Sequence, residues 1–591
     1  MSTGQANHEG TPRDMVIFGF EEAGMHSGHG IHIHEIPQIE LAFFSLPKAT
    51  QYHSPEQHFV LHVTRDPCQD SFLFLTFFAS HSSTMSPFLS SNLGHEDEPR
   101  QTDTKAVFPH IDAEPAVLPS SLDPFTITTS NGFMPLQTPT TDLPDAFKPL
   151  LDLADEMPIV KEDGQPGLLA KYELGAAIDE KKLLPDLTNE IDSLVTADGQ
   201  PDLVAVTAAF RDYSFLASAY LLEPCWERWS KGLEGYGLGR EVLPACLAGP
   251  LWKTAKMLEI PPFMAYAAGY ALYNWRFADP SVGYDEYYNL RLIRAFEKGL
   301  DPYSSEAGFI LTHVDIVRHT GGLIEGAVKT MDAVAADDGS ANVADSLEVL
   351  LNTMHDIEES MEKMWAHSKP KDYISYRTFI FGITNQSMFP NGVIYGGIND
   401  NKPQYFRGES GANDSIIPLL DHLLEIPMPQ NPLTEILKDF RNYRPKPHRE
   451  FLAYVRERAE QIGVKQYCRK NLDTKVKYLR LLEHVRSFRW RHWLFAREYI
   501  IRRSIHPTAT GGSPIVTWLP NQLFAVMELM REVWESITVE ERDAQGKTVN
   551  EMMENVYDSY DKLQKEVQRW CKERDPKASQ AEAEALRRLE A

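Results

Sequence analysis

The chain has 591 residues, a length that suggests three or four domains, and its 42% hydrophobic and 24% charged residues are ordinary proportions for a protein that buries a large core. With 58 Lys and Arg against 84 Asp and Glu the net charge is −26, and so acidic a surface repels phosphate, which weighs against nucleic acid and anionic membranes as partners. The five cysteines, Cys68, Cys225, Cys246, Cys468 and Cys571, are widely spaced with no C-x-x-C, which fits a reducing compartment and argues against a disulfide framework or a zinc ribbon.

Residues 1–123 are rich in Ser, Thr, Pro and His and show little helical periodicity, so they are expected to form a poorly ordered extension. Their histidine cluster, HSGHGIHIHE (26–35), also admits a metal-binding reading. IELAFFSL (39–46) and HFVLHV (58–63) could be short strands. The polar opening residues predict no cleavable signal, and the apolar run Phe72–Ala79 is too short to span a bilayer as a helix. A soluble, cytoplasmic protein is expected.

From residue 124 apolar residues recur at i, i+3, i+4 and i+7, which predicts amphipathic helices over 205–222, 242–275, 285–299, 306–318, 343–366, 415–425, 450–463 and 473–503. Strand-like alternation is scarce. The expected fold is therefore all-α: a small helical domain at 124–285, a large one at 286–575, and a charged tail at 576–591.

One predicted helix, TKVKYLRLLEHVRSFRWRHWLFAREYII (474–501), aligns Tyr478, Leu481, Leu482, Val485, Phe488, His492, Phe495 and Tyr499 on one face. His492 within that stripe is either a hydrogen-bonded core histidine or an axial haem ligand, with Arg489 one turn away as a surface residue or a partner for a haem propionate. GFILTHVDIVRHTGG (308–322) places His313 on a second apolar face, with Gly321–Gly322 as a helix stop. It too is either packed in the core or one of two histidines flanking a cofactor. In KDYISYRTFIFG (371–382), Tyr373 and Arg377 share a helical face, and the arginine could clamp a carboxylate. FRGESGAND (406–414) and TATGGSP (508–514) are glycine-rich but lack the phosphate-loop pattern, so they read first as caps or turns. No H-E-x-x-H, G-x-S-x-G or carboxylate dyad is evident, which disfavours metalloprotease, hydrolase and glycosidase chemistry.

Taken in order, NGFMPLQTPTTDLPDAFKPLLDLADEMP (131–158), KMLEIPPFMAYAAGYALYNW (256–275), NGVIYGG, GESGANDSIIPLLDHLLEIP, ILKDFRNYRPKPHREFL, FRWRHWLFAREYI and TATGGSP resemble the indoleamine 2,3-dioxygenase family in a fungal-type form, over about 124–575. The resemblance implies a two-domain, all-α fold with haem b between the domains. It further implies a monomer that uses O2 to convert L-tryptophan to N-formylkynurenine, the first step of the kynurenine route, with an electron donor keeping the haem ferrous. On this resemblance His492 matches the iron ligand, and Arg489 and Ser410 lie beside the cofactor. Asp421 matches a proximal aspartate. Arg377 matches the arginine for the substrate carboxylate, and Tyr266, Phe309, Tyr373, Gly411, Thr510, Gly511, Gly512 and Ser513 match pocket and loop positions. His313 departs from the pattern, because vertebrate members carry serine there. A distal histidine resembles tryptophan 2,3-dioxygenase and could orient the substrate or accept a proton. A tryptophan-cleaving dioxygenase, a diverged haem enzyme acting on another indole and a haem-dependent sensor are the three functions compatible with this pattern.

Overall fold

A computed structural model describes residues 62–65, 73–76, 103–298, 301–428, 432–504, 506, 508–513, 515–544 and 547–574. The histidine tract and IELAFFSL lie outside the described residues. HFVLHV only overlaps a strand, β1 (His62–Arg65), which pairs antiparallel with β2 (Leu73–Thr76) inside the apolar run at 72–79.

The body is mostly helical, and short polar residues set its helix starts by accepting free N–H groups of the first turn. Asp202 accepts from Val204 and Ala205 at the head of α1 (Leu203–Ser230), a helix buried nearly all round. Chain order continues with α2 (Ala245–Met257), α3 (Ser305–Val317), capped by Ser304, and α4 (Gly321–Ala336). Then come α5 (Ser340–Glu362), α6 (Pro370–Arg377), α7 (Ile416–Leu423), α8 (Lys446–Ile462), α9 (Leu472–Phe495), capped by Asn471, and α10 (Ile515–Glu535). Lys547–Arg574 forms the last described helix, and none of the described helices is long and apolar enough to cross a membrane.

Three expectations need correction. The stretch 242–275 is not one helix: α2 stops at Met257, Pro261–Pro262 prevents continuation, and a π-helical turn covers Tyr266–Tyr270. Nor do the described residues of 285–299 form a helix. The stretch forms a short 3-10 turn and a strand, β4 (Leu290–Leu292), paired antiparallel with β3 (Trp275–Phe277). Long-range bonds override its helical spacing. Asn274 Oδ1 accepts from the Arg294 N–H at 2.7 Å, the Arg294 guanidinium grips buried Asp212 of α1, and the Glu306 carboxylate accepts from the Phe296 and Glu297 N–H groups. Finally, Gly321–Gly322 starts α4 rather than stopping α3. Each glycine allows a close approach, since a Cβ would lie 2.5 Å from the Thr129 carbonyl oxygen at Gly321 and 2.3 Å from Thr353 Oγ1 at Gly322.

Residues 103–123, on the extension side of the composition break, pack against α8. Thr104 Oγ1 accepts from Arg458 Nη1 at 2.6 Å, and Phe108 meets Phe451 edge-on at 5.3 Å.

One helix sets the site's spacing, because α5 packs against both α3 and α9. Its Glu358 takes His484, Ser487 and Arg491 of α9, while Lys363 at its end pairs with buried Asp315 of α3.

Candidate active site

His492 sits one turn before α9 gives way to a π-helical segment, Ala496–Ile501. A π-turn widens the helix locally and often marks a functional site. Here it brings Tyr499 onto Tyr373 of α6, with ring centroids 5.5 Å apart, and its hydroxyl donates to the Ser368 carbonyl at 2.6 Å. The His492 ring keeps accessible surface although protein surrounds it, so it faces an interior space. Enclosure, with a contribution from His313, pushes its pKa down to about 4. That influence puts the two histidines, 179 positions apart in sequence, in one region of the fold. The imidazole is neutral at pH 7 and no described residue hydrogen-bonds it, so it is free to ligate a metal.

Across from it, α3 presents Phe309 and His313. His313 Nδ1 lies 2.8 Å from the Phe309 carbonyl oxygen. A carbonyl only accepts, so Nδ1 carries the proton and Nε2 keeps a lone pair. Burial lowers the His313 pKa as well. Nε2 points towards Gly411, where an added Cβ would lie 3.9 Å away. Tyr266, at the start of the first π-turn, meets His313 edge-on at 5.7 Å, and Phe309 meets Tyr373 at 5.1 Å. These rings form one apolar wall with a single acceptor nitrogen in it.

Arg377 ends α6 and is fully buried. Its Nη2 donates to the Thr508 carbonyl at 3.1 Å, and its guanidinium lies 4.5 Å from the Phe381 ring. Nε and Nη1 have no partner at ordinary hydrogen-bond distance, although the Tyr373 hydroxyl lies beside the guanidinium. A buried guanidinium with two idle donors is costly unless an anion completes it.

The glycine-rich segments are more than caps. The 508–512 loop is woven into two other backbones: the Gly382 N–H donates to the Thr510 carbonyl at 3.0 Å, Gln386 Nε2 to the Ala509 carbonyl at 2.7 Å and Arg407 Nη1 to the Gly511 carbonyl at 3.0 Å. Gly512 has φ +85°, a left-handed conformation that glycine adopts without strain. Ser410 caps the short turn Gly411–Asn413 by accepting from the Ala412 N–H at 3.2 Å. Arg489 donates twice to Asp421, at 2.7 and 2.8 Å, and to the Gln522 carbonyl at 3.1 Å, tying α7 and α10 to α9 beside His492.

The sequence profile of the family described as indoleamine 2,3-dioxygenase matches residues 121–515, an interval that contains every one of these side chains. The chain belongs to the indoleamine 2,3-dioxygenase family. Among its relatives, an indoleamine 2,3-dioxygenase of Saccharomyces cerevisiae is 28% identical over 319 residues, which is 51% of this chain and 66% of that protein. Indoleamine 2,3-dioxygenase 1 of Mus musculus is 27% identical over 410 residues, covering 65% and 89%. A 6-hydroxytryptophan 2,3-dioxygenase of Fusarium equiseti is 25% identical over 342 residues, covering 57% and 74%. At such identities membership fixes the fold, while this chain's own side chains distinguish it within the family. Two of those were missed from the sequence. Tyr270 on the π-turn and Glu409 in the glycine-rich segment are buried in the same neighbourhood. A glutamate between two glycines is the available signal, in a segment whose sequence reads as a cap or turn.

Proposed function

We propose that this chain is a haem-dependent dioxygenase that cleaves the indole C2–C3 bond of L-tryptophan with O2 to give N-formylkynurenine. The observation that carries the reading is the occurrence in one region of His492 and His313, two imidazoles on separate helices whose pKa values are lowered by desolvation, which keeps both neutral. Haem b fits this donor set. A neutral nitrogen without a hydrogen-bond partner is what its iron takes axially, and the half-buried Phe488 and Phe495 on the same helix suit a porphyrin face. When bound, haem supplies the iron that activates dioxygen, and an external electron donor keeps that iron ferrous.

The protein's part is binding, aiming and proton placement. His492 would hold the iron, and Arg489, itself fixed by Asp421, together with Ser410 would flank the propionate side. Arg377 would take the amino acid's carboxylate on its two idle nitrogens. Tyr266, Phe309 and Tyr373 would sandwich the indole, and His313 Nε2 would accept its N–H. Gly411 leaves room beside that nitrogen, and Thr510, Gly511 and Gly512 close the amino-acid end.

A second reading within the fold, cleavage of a different indole, is favoured by His313, which narrows the pocket relative to a serine. The test is product formation by ferrous, haem-loaded protein given L-tryptophan and oxygen, with N-formylkynurenine followed by chromatography. The His492→Ala variant is expected to lose both the haem Soret band and the product. Full haem occupancy in that variant would overturn the ligand assignment.

A further inference from the structure

One buried amide holds down the segment on which Arg377 rests. Gln386 lies in the loop that follows α6 and is 3% exposed. Its Nε2 donates to the Ala509 carbonyl at 2.7 Å and to the Thr510 carbonyl at 3.2 Å. Carbonyls only accept, so these two bonds fix which end of the amide is the nitrogen. Oε1, at the other end, accepts from His506 Nε2 at 3.0 Å and from the Thr508 hydroxyl at 3.4 Å. One side chain therefore engages His506, Thr508, Ala509 and Thr510.

The same bond sets the imidazole. Because Oε1 cannot donate, His506 Nε2 carries the proton. The Thr508 hydroxyl oxygen lies 3.0 Å from that nitrogen, so amide, imidazole and hydroxyl close on one another. The imidazole also meets Tyr236 at 5.3 Å and Phe381 at 5.1 Å, both edge-on. Partial burial, with the Arg377 charge behind it, lowers the His506 pKa to about 4, so the ring is neutral at pH 7.

Arg377 leans on neighbours of this group. Its guanidinium lies 4.5 Å from the Phe381 ring, and its Nη2 donates to the Thr508 carbonyl at 3.1 Å. Downstream residues have other ties, since the Thr510 carbonyl also accepts from the Gly382 N–H and the Gly511 carbonyl from Arg407. The side chains of His506 and Thr508 have no polar partner among the described residues except Gln386 and each other. Loss of the amide would free that end first, and with it the carbonyl that sets the rotation of the guanidinium. A displacement of about 1 Å in a group that positions substrate is enough to cost a large factor.

We propose that Gln386 and His506 are positioning residues for the carboxylate clamp: the amide–imidazole pair fixes Thr508, and the Thr508 carbonyl holds the Arg377 guanidinium at the angle that leaves its other nitrogens to the substrate. The proposal deepens the dioxygenase reading and rests on its assignment of Arg377 to the substrate carboxylate. In this role neither Gln386 nor His506 touches the substrate.

The test uses haem-loaded protein and three ligands: L-tryptophan, indole-3-propionate, which keeps the carboxylate, and tryptamine, which lacks it. Binding is read from the shift of the Soret band on titration, and turnover as KM and kcat. Gln386→Leu should weaken tryptophan and indole-3-propionate about tenfold in Kd and KM, as for one lost charge-assisted hydrogen bond, with kcat and tryptamine binding within about twofold of wild type. His506→Leu should repeat that pattern, and it replaces only a half-buried side chain should the glutamine variant fail to fold. His506→Gln can still donate an N–H to Oε1 and should restore most of the affinity. Equal weakening of all three ligands, or no weakening in either leucine variant, overturns the positioning role, and so does His506→Gln if it binds no better than His506→Leu. Arg377→Leu separates the two levels. If it weakens the carboxylate ligands selectively and the Gln386 and His506 variants do not, the clamp stands and the positioning role falls. If it too treats all three ligands alike, the assignment of Arg377 falls and takes the positioning role with it.

Discussion

Replacing Arg377 with leucine should separate folding from function. In the folded chain this arginine has one carbonyl partner, Thr508, one ring partner, Phe381, and two nitrogens with none. For folding, the substitution loses a cation–π contact of about 2 kcal/mol and a hydrogen bond of about 1.5 kcal/mol. It also removes two unpaired buried donors, each costing about 1–3 kcal/mol. These effects nearly cancel, so unfolding free energy should stay within about 1 kcal/mol of wild type in a urea titration. For the reaction, loss of a two-pronged, charge-assisted contact of about 3 kcal/mol should lower kcat/KM for tryptophan roughly a hundredfold. Tryptamine, which lacks the carboxylate, should be used no worse by the variant than by wild type. Equal losses for tryptophan and tryptamine would refute the clamp and reduce Arg377 to a structural residue.

Other expectations follow from the same geometry. Asp421→Asn leaves Arg489, only 12% exposed at its side chain, without its counter-ion and should destabilise the fold by about 3 kcal/mol in denaturant; a change below about 1 kcal/mol contradicts that account. Stability should also depend on pH. Glu306 and Glu409 are raised from 4.5 to about 8, so the native state holds protons that the unfolded chain has released, and their contribution, complete below pH 4.5, is lost as pH rises through 8. His492 and His448, depressed to about 4 and about 3, act in the opposite sense and withdraw stability as pH falls below 6.5. Denaturation midpoints should therefore stay nearly level from about pH 4.5 to 6.5, where the two pairs offset, and decline from there to about pH 8, with a flatter alkaline limb in Glu409→Gln. An unchanged limb would contradict the buried-acid assignment. Gly512→Ala imposes a Cβ at φ +85° and 2.4 Å from the Thr384 carbonyl oxygen. Hydrogen exchange at the Gly382 amide, which donates to Thr510, should accelerate at least tenfold if that loop is held as described.

Much of this protein was legible in its sequence. Helical periodicity located α3, α5 and α8 to within a few residues and the starts of α1 and α9, whose ends it missed by eight, because a buried face repeats at fixed spacing along the chain. The apolar stripes singled out His313 and His492, and the ordered motifs assigned the family. What failed was decided by partners far away in sequence. Residues 285–299 carry a helical pattern, yet Asn274, Asp212 and Glu306 claim their polar groups and hold them extended. Gly321–Gly322 reads as a stop until the backbone of Thr129 and the side chain of Thr353 are seen against it. The approach of His313 to His492, and the idle nitrogens of Arg377, exist only in three dimensions. So does the isolation of Glu409, since a missing partner is a property of everything that packs around a group. Periodicity is a local regularity that one chain displays by itself. Satisfaction of buried polar groups is a global balance that only the folded chain defines.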